Sequence, residues 1–259
     1  MPFCVRLNSS PASSMGTPVK SDGSRTRLDA VKEVFTDFVS GNSDDLDGRP
    51  DDLIGLITFG RYGETLAPLT LSHKTLVDFT DTIQLIDNRE EDGTSIGDAL
   101  SLAVARLVET EKMNRDSEYK IESKIIILLT DGQNNGGTIS PIDAAYLAKQ
   151  WDVKIYTIGF GAGYYRNAFG LVRKIPEGYG IDGEEMGKMA KITGGAYFSA
   201  DSEESLREIY SEIDKLEKSG YESLSYKNYR EAYIPFAVAG FVFLYLSLVL
   251  SATFFRRIP

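Results

Sequence analysis

Apolar and polar positions along this chain keep two alternating periods. Leu28, Val31, Val34, Phe35 and Phe38 fall three and four residues apart, which places them on one face of a helix over residues 27–41. Residues 52–59, DLIGLITF, read as a strand. Helical spacing returns over 72–86 and again over 95–110, where Ile96, Leu100, Ala103, Val104 and Leu107 form one stripe. The segment KIIILLT, residues 124–130, has an unbroken apolar run, which fits a strand covered on both faces. A helix over 141–150 follows, with proline in its first turn, and then a strand over 153–159. Asp182-Gly183-Glu184-Glu185 has the form of a capping box and opens a helix that reaches Ile192. Residues 196–199 are a short last strand. Residues 202–218 are an amphipathic helix that turns Leu206, Ile209, Tyr210, Ile213 and Leu216 inward. The glycine-rich stretch 161–180 reads as an irregular loop on the ligand-facing rim. No internal repeat interrupts the succession, and the alternation predicts an α/β fold: a mostly parallel sheet wrapped by helices.

The C-terminal pattern is different. Ala232 to Phe255 contain no charged residue. A helix over residues 234–255 would be ~33 Å long, enough for a hydrocarbon layer of ~30 Å. Tyr229 and Tyr233 before it, and Arg256-Arg257 after it, have the character of interfacial anchors. Residues 232–255 therefore read as one transmembrane helix. Residues 219–231 are a polar, tyrosine-rich linker, and 256–259 a short basic tail.

Composition narrows the chemistry. With 42% apolar and 25% charged residues the 259-residue chain has a globular balance. A formal net charge of −10 and the lack of a basic stripe argue against a nucleic-acid partner. One cysteine excludes an internal disulfide framework, and the lone histidine, His73, excludes a histidine-based zinc site or triad. Residues 159–163, GFGAG, follow a strand but lack the third glycine of a dinucleotide fingerprint, and no phosphate-binding glycine-lysine loop is present. No nucleophile–base pair can be assembled, so an enzyme is not expected.

Three segments offer oxygen ligands instead. They are TDGQNNGG at 130–137, EEDGTSIGDAL at 90–100 and SSM at 13–15, supplying Asp131, Thr94 and Ser14. An acidic residue at the carboxyl end of a buried strand stands where open α/β sheets bind ligands, although Asp-Gly is also a common turn pair. Magnesium takes hard oxygen ligands, keeps several waters and needs few protein carboxylates. That is a binding site, not a catalytic one.

In their order these segments resemble the von Willebrand factor A domain, most of all that of bacterial membrane proteins of the aerotolerance-regulator (BatA) type. RLDAVKEVFTDFV (27–39), GRPDDLIGLITFG (48–60), GTSIGDALSLAV (93–104), KIIILLTDGQNN (124–135), VKIYTIGFG (153–161), ITGGAYFSA (192–200) and IDKLEK (213–218) carry the likeness, followed by the terminal span and Arg-Arg. The resemblance implies a doubly wound sheet over residues 13–218 and a divalent cation, Mg²⁺ or Mn²⁺, at a metal-ion-dependent adhesion site. That motif is D-x-S-x-S, then threonine, then aspartate. Thr94 and Asp131 match the last two, and Ser14 matches the second serine. Ser10 stands where the motif has aspartate, and Ala12 where it has the first serine. Losing that carboxylate weakens metal binding.

Residues 1–12 depart from the family abruptly, and Arg6 falls inside what should be the wholly apolar first strand. The departure has two readings, a displaced start or shifted frame that removes the family's leading spans, or degeneration of the segment. The resemblance implies a module that captures a carboxylate of a protein partner through the cation; a metal-free assembly subunit of a membrane complex is the alternative. Neither needs a nucleotide. Lys215, Lys218, Lys227 and Arg230 ahead of the span favour a cytoplasmic domain. The family's leading spans imply the reverse, and the expected location is the bacterial cell membrane with the domain on the outer, periplasmic side.

Overall fold

The computed structural model describes residues 2–5, 26–42, 46–84, 93–114, 121, 123–161, 164–166, 172–174, 181–219 and 239–245. In chain order the elements are β1 (Pro2–Val5), α1 (Arg27–Ser40), β2 (Ile54–Phe59), β3 (Gly63–Thr70), α2 (His73–Thr82), α3 (Ile96–Met113), β4 (Lys124–Thr130) and α4 (Pro141–Gln150). They continue through β5 (Val153–Phe160), β6 (Tyr164–Arg166), β7 (Val172–Lys174), α5 (Gly183–Thr193), β8 (Tyr197–Ala200) and α6 (Glu203–Ser219).

Six strands form one sheet in the order β3-β2-β1-β4-β5-β8. All neighbours are parallel except β2 and β3, which form an antiparallel edge hairpin. β1 is central, with Phe3 opposite Leu56 on one side and Ile127 on the other. The strand is described from Pro2 to Val5; Arg6, expected inside the first strand, lies outside the described residues. From β1 the chain winds one way to β2 and β3, then returns to β4 on the opposite side. The carboxyl ends of β1 and β4 thus flank the switch point of the sheet, the place where such folds open a crevice.

Helices cover both faces. α1, α2 and α6 pack against Ile54, Leu56, Ile125, Ile127, Leu129 and Ile158. α3, α4 and α5 pack against Ile57, Phe59, Ile126, Leu128, Val153 and Ile155. The apolar run of β4 is divided between the two faces as the period of two requires, with Ile126 and Leu128 on one and Ile125, Ile127 and Leu129 on the other. α1 begins with a complete capping box: Thr26 Oγ1 accepts from the Asp29 N–H while the Asp29 carboxylate accepts from the Thr26 N–H. α6 is tied across the face to α1 by Arg207, which pairs with Asp37. Arg49, almost wholly buried, pairs with Asp52 at 2.9 Å and with Asp214 of α6, and its guanidinium stacks on Phe38 at 4.8 Å.

The structure departs from the sequence reading in three places. α2 stops at Thr82, short of the predicted 86. An edge strand, β3, fills residues 63–70. The stretch 161–180, expected to be irregular, holds the antiparallel pair β6 and β7, with Tyr165 opposite Arg173. His73 is the first residue of α2 and is half-buried, with Nε2 2.9 Å from the Asp52 carbonyl oxygen.

Residues 217–259 form a second compact unit. Within it residues 239–245 are helical, and Phe241, Val242, Phe243, Leu244 and Tyr245 are exposed. Among the described residues no helix is long and apolar enough to cross a membrane. The remainder of the expected span, 232–238 and 246–255, lies outside the described residues.

Candidate functional site

The turn after β4 and the start of α3 meet on the carboxyl rim of the sheet. Thr130, fully buried, fixes the first: its hydroxyl donates to the Gly132 carbonyl at 3.0 Å and accepts from the Gly132 N–H at 3.3 Å. Asp131 stands between them with only 8% of its surface exposed. A carboxylate so placed is costly to bury unless a cation or donors compensate it.

Each residue of Thr94-Ser95-Ile96-Gly97-Asp98 clamps α3 to a neighbouring loop. The Thr94 N–H donates to Asn135 Oδ1 at 2.7 Å, and the Thr94 carbonyl accepts from the N–H groups of Asn135 and Gly136, both at 3.0 Å. Ser95 does not cap α3 with its own side chain. Its hydroxyl faces the carbonyls of Gly60 at 2.8 Å and Arg61 at 2.6 Å, holding the β2–β3 turn. The capping donor bond passes to Asn134, whose Oδ1 accepts from the Ile96 N–H at 2.8 Å. Gly97 lies against the Ile139 carbonyl so closely that a Cβ there would stand 2.0 Å from its oxygen. Asp98 accepts from the N–H groups of Thr138 at 3.0 Å and Ile139 at 2.8 Å. Gly137 has φ +93°, and a Cβ on it would meet Ser95 and Asp98.

Thr94 and Asp131 therefore stand on two loops stitched together by Asn134 and Asn135, on one rim, with Thr94 2% exposed. Ser10, Ala12 and Ser14 lie outside the described residues. Beside the stitched loops is an open cleft of about 580 Å³ between Arg61 and Tyr62 of the β2–β3 turn, Asp98, and residues 135–138.

Two parts of this rim lie outside the residues that the sequence pattern singles out. Asn134 and Asn135 carry the stitching, and their signal was a pair of amides just past a strand-ending aspartate. The other is Arg27. It is the first residue of α1 and only 6% exposed. Burial lowers the affinity of its guanidinium for the proton, and the nearby Asp131 carboxylate raises it.

As donors, Thr94 and Asp131 offer one hydroxyl and one carboxylate, which suit Mg²⁺ or Mn²⁺ in kind. Among the described residues, no three His, Cys, Asp or Glu side chains gather in a cluster that could hold an ion.

A family profile for the von Willebrand factor type A domain matches residues 20–212. The chain belongs to that family. An uncharacterized protein of Borreliella burgdorferi is 25% identical over 243 residues, covering 91% of this chain and 65% of its own length, so the chain spans about two thirds of that relative. The crystal structure of the conserved hypothetical protein BatB from Bacteroides thetaiotaomicron superimposes with a TM-score of 0.57 at 24% identity, over 84% of this chain and 98% of that one. An aerotolerance-related membrane protein from Bacteroides fragilis has the same TM-score at 20% identity, over 83% and 98% of the two chains. Proximal thread matrix protein 1 of the mussel byssus, in a structure with zinc in its metal-ion-dependent adhesion site, reaches 0.50 at 23% identity over 83% and 44%. These structures share the fold.

Proposed function

We propose that the chain is a membrane-anchored protein-binding module whose rim site, built on Thr94, Asp131 and Ser14, takes a divalent cation, Mg²⁺ or Mn²⁺, and through it a carboxylate of a partner protein. The observation that carries this reading is the stitched rim: Asn134 and Asn135 hold the Thr94 loop against the Asp131 loop beside the switch point of the sheet. Bound there, the cation would supply an electrophilic position with sites left open to an acidic side chain. A zinc-occupied adhesion site in the mussel protein of the same fold supports a divalent cation at this rim. Ser10 in place of the motif's aspartate makes the binding weak. Residues 13–218 form the module, 219–231 the linker, and 232–255 the anchor in a bacterial cell membrane, with the module on the outer side. Partners are other subunits of a membrane complex; the names of the Bacteroides neighbours support the membrane setting.

Arg27 favours a second reading, in which the module assembles without a metal, because a guanidinium already lies within charge range of Asp131. The two readings separate in one experiment. Membranes carrying the tagged chain are cross-linked in Mg²⁺ or in EDTA, with Asp131→Asn and Thr94→Ala as variants. Metal-dependent capture predicts neighbours that cross-link in Mg²⁺ and are lost in EDTA and in both variants. The same neighbours in all four conditions would contradict it.

A further inference from the structure

Arg27 and Asp131 are two charged residues of opposite sign, 6% and 8% exposed, on different elements. The topology brings them to one rim independently of their charges. β1 and β4 are adjacent and parallel, with Val5 opposite Leu129, so both strands end at the same edge and Asp131 follows at once. α1 begins the crossover from β1 to β2, and its first residue, Arg27, therefore returns to that edge. The Asp131 carboxylate raises the proton affinity of the Arg27 guanidinium, in agreement with this placement. An arginine side chain keeps its charge under all ordinary conditions. A buried Asp131 therefore always has a positive neighbour, and an incoming divalent cation always meets one.

We infer that Arg27 is the resident counter-ion of Asp131 and sets the metal affinity of the rim by competing with a divalent cation for that carboxylate. The inference deepens the proposed metal site and rests on it. Two cations sharing one carboxylate in a partly dry crevice repel each other, so each weakens the hold of the other. In the absence of metal the guanidinium keeps the rim compensated and the fold intact. With the motif's aspartate replaced by Ser10, Asp131 is the only motif carboxylate left, and this competition decides occupancy.

The test uses the full chain in detergent, with Arg27→Met to remove the charge, Arg27→Lys to keep it, and Arg27→Met/Asp131→Asn to remove both. Mg²⁺ alone is titrated by calorimetry, and melting is followed in EDTA and in Mg²⁺. The expected result is at least tenfold tighter Mg²⁺ binding in Arg27→Met, with Arg27→Lys unchanged from the parent. In EDTA, Arg27→Met should melt lower than the double variant, and Mg²⁺ should restore it. A variant that folds only with Mg²⁺ present is the same result read through stability. Arg27→Met binding no more tightly than the parent would overturn the inference, as would Arg27→Lys binding as tightly as Arg27→Met, because the effect would then be packing. Partner capture is measured separately, so loss of one result leaves the other legible.

Discussion

At the scale of single residues the rim is built by close approach. Gly97 is the clearest case, because a methyl group there would press into the Ile139 carbonyl at 2.0 Å and push the 135–140 segment off α3. Gly97→Ala should cost ~1–3 kcal/mol, the range for overpacking, and should loosen the amides of Asn135 and Gly136 that bind Thr94. Hydrogen exchange at those two amides, with a denaturant melt, checks both. Tyr210 gives a pH prediction. It is fully buried, lies edge-on to Phe38 at 5.1 Å, and burial pushes its phenol above the ordinary value of about 10. The unfolded chain ionises this group near pH 10 and the folded chain does not, so its contribution is present below pH ~10 and is lost as the pH rises further. Tyr210→Phe should therefore lose less stability than the parent between pH 9 and pH 11, read from melts at the two values. Asp131 and Thr94 were singled out by reading their segments together, one as an acid ending an apolar strand and the other as a hydroxyl beside a helix start, and both are buried on the rim. Arg27 was not legible, because a charged residue beside an apolar stripe reads as solvated until topology turns it to the rim. The clamps at Asn134 and Asn135 likewise depend on which loop they face, which spacing does not state.

At the scale of elements, burial pattern decides what can be read. β4 announced itself because both of its faces are covered and every residue from Ile125 to Leu129 is apolar and at most 1% exposed. Leu128→Ala should cost ~2–5 kcal/mol through lost transfer energy and the cavity left behind, measured by denaturant melts. α1, α3, α4, α5 and α6 were legible from their stripes and caps, to within a few residues. β3 was not. As an edge strand that carries Gly63, Pro68 and Glu64 and is only partly buried, it lacks both the apolar run and a clean alternation. β1 was expected from the family resemblance and not from its own pattern. Its described part is only four residues long and begins with proline, too short a run for its own pattern to mark a strand. The β6–β7 pair lies in a glycine-rich stretch whose composition reads as loop.

At the scale of the whole molecule the chain joins a von Willebrand factor A domain to an apolar C-terminal segment, and its reading as an anchor sets a topology. Reporter fusions after Pro259 should place the C-terminus in the cytoplasm when the chain is extended upstream to include leading spans. A C-terminus outside in that form would refute the outward-facing module. We propose that the rim of Thr94 and Asp131 is a weak divalent-cation site, weakened by Ser10 and Ala12. Calorimetric titration of Mg²⁺ into the full chain tests it most directly, comparing the parent with Asp131→Asn and with Ser10→Asp/Ala12→Ser. The parent should bind weakly, Asp131→Asn not at all, and the double variant at least tenfold more tightly, because an added anion in a partly dry crevice attracts the ion strongly. Equal heats for the parent and Asp131→Asn, with no gain in the double variant, would contradict it.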